Sequence, residues 1–254
     1  MTRSVFTQTL REQRRGLIGW SIGFAIVPMM YLPSYRSLKE QGSLDIEQNR
    51  MYEAMGISDF ASASGYLNAT VYSLMGLLLM LIFAVTFASR SVAQEENGML
   101  DLLLAQPINR VNLLLQRFAA LAVQTAIATT VLTVSVVAGA DRGGLDVPTG
   151  NILAASAGLG LLALVIGTIT LLAGAATGKR SVTLGSASLV AVAGYLANNL
   201  GGDFVRKLSP FYWANGGMPL VTGWNGLHLA VLVIAAVVAL ALALSAFDRR
   251  DLAV

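Results

Sequence analysis

Read for polarity alone, the chain alternates long apolar runs with short charged ones. Uncharged stretches stand at Gly16–Tyr35, Phe60–Ser89, Phe118–Ala140, Val147–Gly178 and Ser181–Gly202. A helix that crosses the roughly 30 Å hydrocarbon core of a bilayer needs about 20 residues, so each is long enough to span. The heart of the second is Leu67–Ala88, and the third is expected to begin nearer Val111. Leu208–Phe247 is too long for one span. Pro210, Pro219 and several glycines divide it, which puts the last span at Leu227–Phe247. The pattern predicts an all-α integral membrane protein with six transmembrane helices, forming one domain over residues 1–254.

Composition supports this reading. Hydrophobic residues make up 55% of the chain and charged residues 12%, against about 25% charged in an ordinary soluble domain. The absence of cysteine excludes disulfides, thiolate metal sites and a cysteine nucleophile. Net charge is +3. The basic residues cluster at the ends of apolar runs, where topology and anionic lipid explain them better than nucleic acid does. With a cytoplasmic N-terminus, 11 of the 17 Lys and Arg residues fall inside. Both termini are then cytoplasmic, in the cell membrane of what we expect to be a bacterium. The opening MTRSVFTQTLREQRRG is polar and basic for too long to read as a cleaved signal peptide. Residues 1–15 are expected to form an interfacial helix, with Val5, Phe6 and Leu10 toward lipid and arginines toward phosphates; a frayed tail is the competing reading. In the first outer loop, Leu44, Gln48, Met51, Tyr52 and Met55 recur at helical spacing and predict a short surface helix.

The stretch from Gln94 to Arg110, QEENGMLDLLLAQPINR, lies between the second and third spans. Residues 94–106 read as a short cytoplasmic helix. Glu95 and Glu96 fall in its first turn, where carboxylates favour the positive end of the helix dipole. Leu100, Leu103 and Leu104 make an apolar stripe, and Pro107 ends the element at Gln106. Asn109 can cap the next helix, and Arg110 can snorkel to headgroups. The exposed leucines need a partner. Lipid is one, but Glu95, Glu96 and Asp101 suit a protein groove better than an anionic leaflet.

These residues carry a resemblance. Glu95, Glu96, Gly98, Leu100, Asp101, Leu102, Leu103, Leu104, Pro107 and Arg110 look like the coupling segment of ABC-2-type permeases, the membrane subunits of ABC exporters; Met99 stands where threonine is usual. LSPFYWANGGMPL, Leu208–Leu220, is similar to the segment before the last span in that family. The resemblance implies six spans, an interfacial N-terminal helix, a permease dimer (two copies of this chain or this chain with a sister) and a cytoplasmic ABC ATPase at each coupling helix. ATP and Mg2+ would bind that ATPase, and no cofactor is expected in this chain.

Residues 201–225 hold Pro210, Phe211, Tyr212, Trp213, Pro219 and Trp224. They predict an outer re-entrant hairpin, because broken helix at membrane depth needs cover from protein or water. Pro210–Trp213 read either as an outer gate or as an aromatic belt. Asn198 and Asn199 read either as part of a translocation path or as a polar helix end. The lone His228 reads as an interfacial residue, and the sequon at Asn68 as chance. GAATGKRS, Gly174–Ser181, has one residue too few between its glycines for a phosphate loop and no serine or threonine after Lys179; Gly174 and Gly178 read instead as a helix-packing face. No catalytic or metal site is expected. The function expected is export of an amphipathic or hydrophobic compound (a drug, antibiotic or lipid-like molecule). The alternative is a secondary transporter or channel that works without an ATPase. The absence of acids and bases from the middles of the spans speaks against it. An intramembrane serine protease with His228 as base is disfavoured, since no nucleophile motif stands in a span.

Overall fold

The computed structural model describes residues 4–41, 61–96 and 109–249. Its described residues are helical throughout, with no strand. Six helical segments are long and apolar enough to cross a membrane, as the runs of uncharged residues predict. The chain is a multi-pass membrane protein.

The first span differs from expectation in its start. One helix, α1, runs from Val5 to Tyr31. Nothing in Arg14-Arg15-Gly16 breaks it, because arginine is a good helix former and one glycine costs only about 1 kcal/mol. The amphipathic N-terminal residues and the span are therefore one rod of 27 residues. Ser4 caps it, accepting from the Thr7 amide. Val5, expected toward lipid, is instead buried with Leu113, Leu114, Ala175, Ala243 and Phe247, and the Phe6 amide donates to Gln116 Oε1 at 2.9 Å. The rod's start is docked on protein. Past Tyr31, a 3-10 turn over Leu32–Ser34 containing Pro33 leads into α2, Tyr35–Glu40. The outer helix expected around Leu44–Met55 lies outside the described residues.

The second span has three parts: α3 (Ala63–Leu67), a π-helical stretch (Asn68–Met75) and α4 (Gly76–Glu96). It is tied to α1 by rings. Trp20 and Phe24 both meet Phe83, at 5.9 and 5.7 Å between centroids, and Phe83 stacks on Phe87 at 4.3 Å. The third span, α5 (Arg110–Gly143), begins as the sequence predicts: Asn109 Oδ1 accepts from the Val111 amide at 3.0 Å. It ends at Gly144, whose left-handed backbone (φ 65°) turns the chain while its amide bonds back to Ala140. Ser135 ties α5 to α1 through a 2.6 Å bond to the Ala25 carbonyl.

The fourth span, α6 (Thr149–Thr177), is the central column. Apolar on every side, it suits a helix surrounded by others, and it packs against α4, α5 and most of the helices that follow. Its end corrects one expectation. Gly178 is not part of a packing face: it sits past the helix with φ 62°, and its amide donates to the Gly174 carbonyl. The fifth span, α7 (Arg180–Leu200), is the least covered, leaving Leu189, Val192 and Leu196 exposed. Three short helices follow: α8 (Asp203–Leu208), α9 (Pro210–Asn215) and α10 (Pro219–Thr222). The last span, α11 (Gly226–Arg249), lays Leu232, Ala236, Ala239 and Ala243 inward, at the three- and four-residue spacing of one helix face.

Candidate functional site

The short helices after α7 build a site because they fold back into the bundle. Ser209 sets the corner. Its hydroxyl donates to the Gly194 carbonyl of α7 at 2.7 Å and accepts from the Phe211 amide at 3.2 Å, capping α9. Pro210 takes the first helical position, where its missing N–H costs nothing. Helix α9 then rests on α6 with almost no spacing. A Cβ on Gly158 would stand 2.7 Å from the Ala214 carbonyl oxygen, so only glycine fits. Asn151, near the start of α6, holds α10 by donating to the Leu220 and Val221 carbonyls.

The far wall is the π-helical stretch of the second span. There the Gly76 amide reaches the Val71 carbonyl, five residues back. Such wider turns concentrate at functional sites. Tyr72 is buried and its hydroxyl shares a 2.8 Å hydrogen bond with Ser156. Asn215 of α9 donates to Asn68 Oδ1 at 2.8 Å and reaches Ser73 Oγ at 3.4 Å. Helix α9 is thus fastened by side chains to the second span as well as by packing to the fourth.

Between these walls lies a cavity of about 380 Å³, within the range of small-molecule pockets. Asn198 and Asn199, read from sequence as path residues, both line it, as does Phe211. Asn198 donates to Asn199 Oδ1 at 3.1 Å. Phe211 is buried edge-on against Tyr195, with centroids 6.0 Å apart. Tyr72 and Tyr195 line it too, whereas Tyr212 and Trp213 do not. Tyr212 and Trp213 pack on each other and on His228, with the Trp213 and His228 centroids 5.1 Å apart. Trp213 Nε1 donates to the Lys207 carbonyl at 2.8 Å, and the Arg206 guanidinium stands over the Tyr212 ring. His228 therefore belongs to an aromatic cluster.

The sequence reading missed Asn68, Tyr72, Ser73 and Asn215. The available signal was polarity: Asn68 and Ser73 are hydrogen-bonding side chains in a run otherwise rich in Leu and Val. Asn68, noted in the sequence only for its sequon, accepts from Asn215 through its Oδ1.

Residues 3–248 match the family model described as the multidrug efflux system permease Rv1217c, C-terminal domain. The chain belongs to this family. It is a membrane permease of a multidrug efflux system, not a catalytic domain. No curated protein matches it by sequence. In this permease the GAATGKRS stretch is the turn between α6 and α7, with helix on both sides and no strand. Of the residues in the leucine-rich segment, Glu95 and Glu96 prolong the α4 helix and Arg110 opens α5. Gly98, Leu100, Asp101, Leu103, Leu104, Gln106 and Pro107 lie outside the described residues.

Proposed function

We propose that the permease is the membrane subunit of an ATP-driven ABC exporter of the ABC-2 type, moving amphipathic or hydrophobic drugs outward together with a separate cytoplasmic ATPase. The observation that carries this reading is the acidic-then-leucine segment Glu95–Arg110 in a chain that belongs to a multidrug efflux family. Its place in the fold suits a coupling role. The segment joins the ends of α4 and α5 at the pole of the bundle where Val5, Leu113, Ala175 and Phe247 also pack together. That pole carries Arg11, Arg14, Arg15, Arg90, Lys179, Arg180 and Arg249, which makes it the cytoplasmic side by the positive-inside rule. The re-entrant helices then lie at the outer leaflet of the plasma membrane, and both termini are inside.

In this scheme ATP and Mg2+ bind the ATPase, whose groove takes the stripe Leu100, Leu103 and Leu104, with Glu95, Glu96 and Asp101 beside it. Closure of two ATPase subunits pushes two such segments, and the packed helices transmit the push as rigid bodies. A second permease copy covers the apolar face of α7. Drug passes by Asn198 and Asn199, with Phe211 at the outer gate.

Co-purification tests the reading. An ATPase subunit is expected to elute with the tagged permease, and Glu96→Lys or Leu103→Asp to release it while the permease keeps its elution volume and helical circular dichroism. An ATPase that stays bound in both variants overturns the proposal.

A further inference from the structure

The cavity beneath the re-entrant helices has a chemistry that selects among drugs. Its polar lining is made of uncharged side chains: Asn68, Ser73, Asn198, Asn199 and Asn215 stand around it. Among the described residues no carboxylate lines it, and the one charged side chain in the lining is the cation Arg206. Leu77, Leu159, Leu162 and Phe211 give it an apolar wall. Asn198 Oδ1 is shielded from solvent and accepts no hydrogen bond within the protein. A buried acceptor in that state gains from any donor that reaches it.

Each feature narrows the ligand. A fixed positive charge moved out of water needs compensation from an anion or from aromatic faces; the described lining offers no anion, only the rings of Tyr72, Tyr195 and Phe211. Arg206 adds repulsion toward cations. Side-chain amides instead donate and accept in neutral hydrogen bonds, matching hydroxyl, amide and carbonyl groups. We infer that this cavity is a binding site for uncharged amphiphiles that bring at least one N–H or O–H donor to Asn198 beside an apolar body, and that it takes them in preference to quaternary ammonium compounds. The inference rests on the efflux role of the family for its biological sense, but binding at the cavity needs neither ATP nor a partner.

The test uses the permease in lipid nanodiscs without nucleotide. The probe is N-dodecanoylethanolamine, an uncharged molecule with amide and hydroxyl donors, carrying a diazirine in its chain. The competitor is dodecyltrimethylammonium, with a tail of the same length. After irradiation, mass spectrometry is expected to find the label on peptides that contain Tyr72, Leu159 or Asn198. Unlabelled N-dodecanoylethanolamine should remove the label at concentrations at least tenfold lower than dodecyltrimethylammonium. Asn198→Leu should weaken labelling about tenfold. Asn198→Asp guards against a mere folding defect, since it places an anion in the cavity and should make dodecyltrimethylammonium a tenfold better competitor than in the wild type. Equal competition by the two compounds in the wild type, or label confined to the lipid-facing side of α7, overturns the inference, as does an Asn198→Asp variant that folds but shows no gain for the cation. If labelling behaves as expected while cells with an intact ATPase fail to export the probe, the ligand class stands and the export reading of this site falls.

Discussion

Asn215 and Asn68, 147 positions apart, are joined by a 2.8 Å hydrogen bond from the Nδ2 of the first to the Oδ1 of the second. The bond fastens α9 to the π-helical stretch, and both flank the cavity. Asn215→Leu keeps most of the side-chain volume and strands the Asn68 acceptor. The expected cost is about 1–3 kcal/mol, concentrated in the re-entrant region. Amide exchange over Pro210–Asn215 should quicken in this variant while exchange in the middle of α5 holds steady. Unchanged exchange at α9 would show that the bond is not what fastens it.

Close packing gives a second expectation. Gly158→Ala forces a methyl group to within 2.7 Å of the Ala214 carbonyl, whereas Gly150→Ala, on the same helix, meets nothing within 4 Å. Overpacking of this kind costs about 1–3 kcal/mol. Thermal unfolding in detergent should put Gly158→Ala well below wild type and Gly150→Ala close to it. Equal melting temperatures for the two variants would mean that α9 does not rest on Gly158.

The end of α5 isolates a backbone effect. Gly144 has φ 65° and open space where a Cβ would go. An alanine there meets only the left-handed penalty of about 1–2 kcal/mol, and asparagine tolerates that region better. Stability should rank glycine first, asparagine second and alanine third. An alanine variant as stable as the wild type would contradict the assigned backbone geometry.

Sidedness follows from the placement of the connections. The chain has no cysteine, so single substitutions report cleanly. Trp224→Cys, at a position 59% exposed beside the re-entrant helices, should react with a membrane-impermeant maleimide in intact cells. Lys179→Cys, in the α6–α7 turn, should react only after the cells are opened. The reverse pattern would put the leucine-rich segment outside and remove any role for a cytoplasmic ATPase at it.

The spans were legible because each is a run of 20 or more residues without an acid, lysine or arginine, and a bilayer leaves such a run little choice but helix. Local punctuation was readable too, since Asn109 caps α5 through its own neighbouring backbone. The start of α1 was not legible. The sequence marks a change of polarity at Arg15, but polarity says where water is, not where a helix stops, and no residue there breaks hydrogen bonding. A small part of the cavity lining could be picked out: Asn198 and Asn199 are polar residues at a helix end. Asn68 and Asn215 escaped because their meaning lies in each other, and no local pattern links positions so far apart. Pro210–Trp213 read either as a gate or as a belt, and the choice was not legible because successive residues on a helix point in different directions: Phe211 turns toward the cavity, while Tyr212 and Trp213 pack with His228.

The second span holds a reserve of length. Over Asn68–Met75 its hydrogen bonds skip to the fifth residue rather than the fourth. Tightening one such turn to ordinary α geometry frees one residue of chain, which swings everything on one side of it by about 100° and shifts it by about 1.5 Å. Asn68 and Tyr72 sit on that swivel, while Phe83 and Phe87 beyond it stay clamped to the first span. A helix made this way can reorient its outer wall while its inner half stands still.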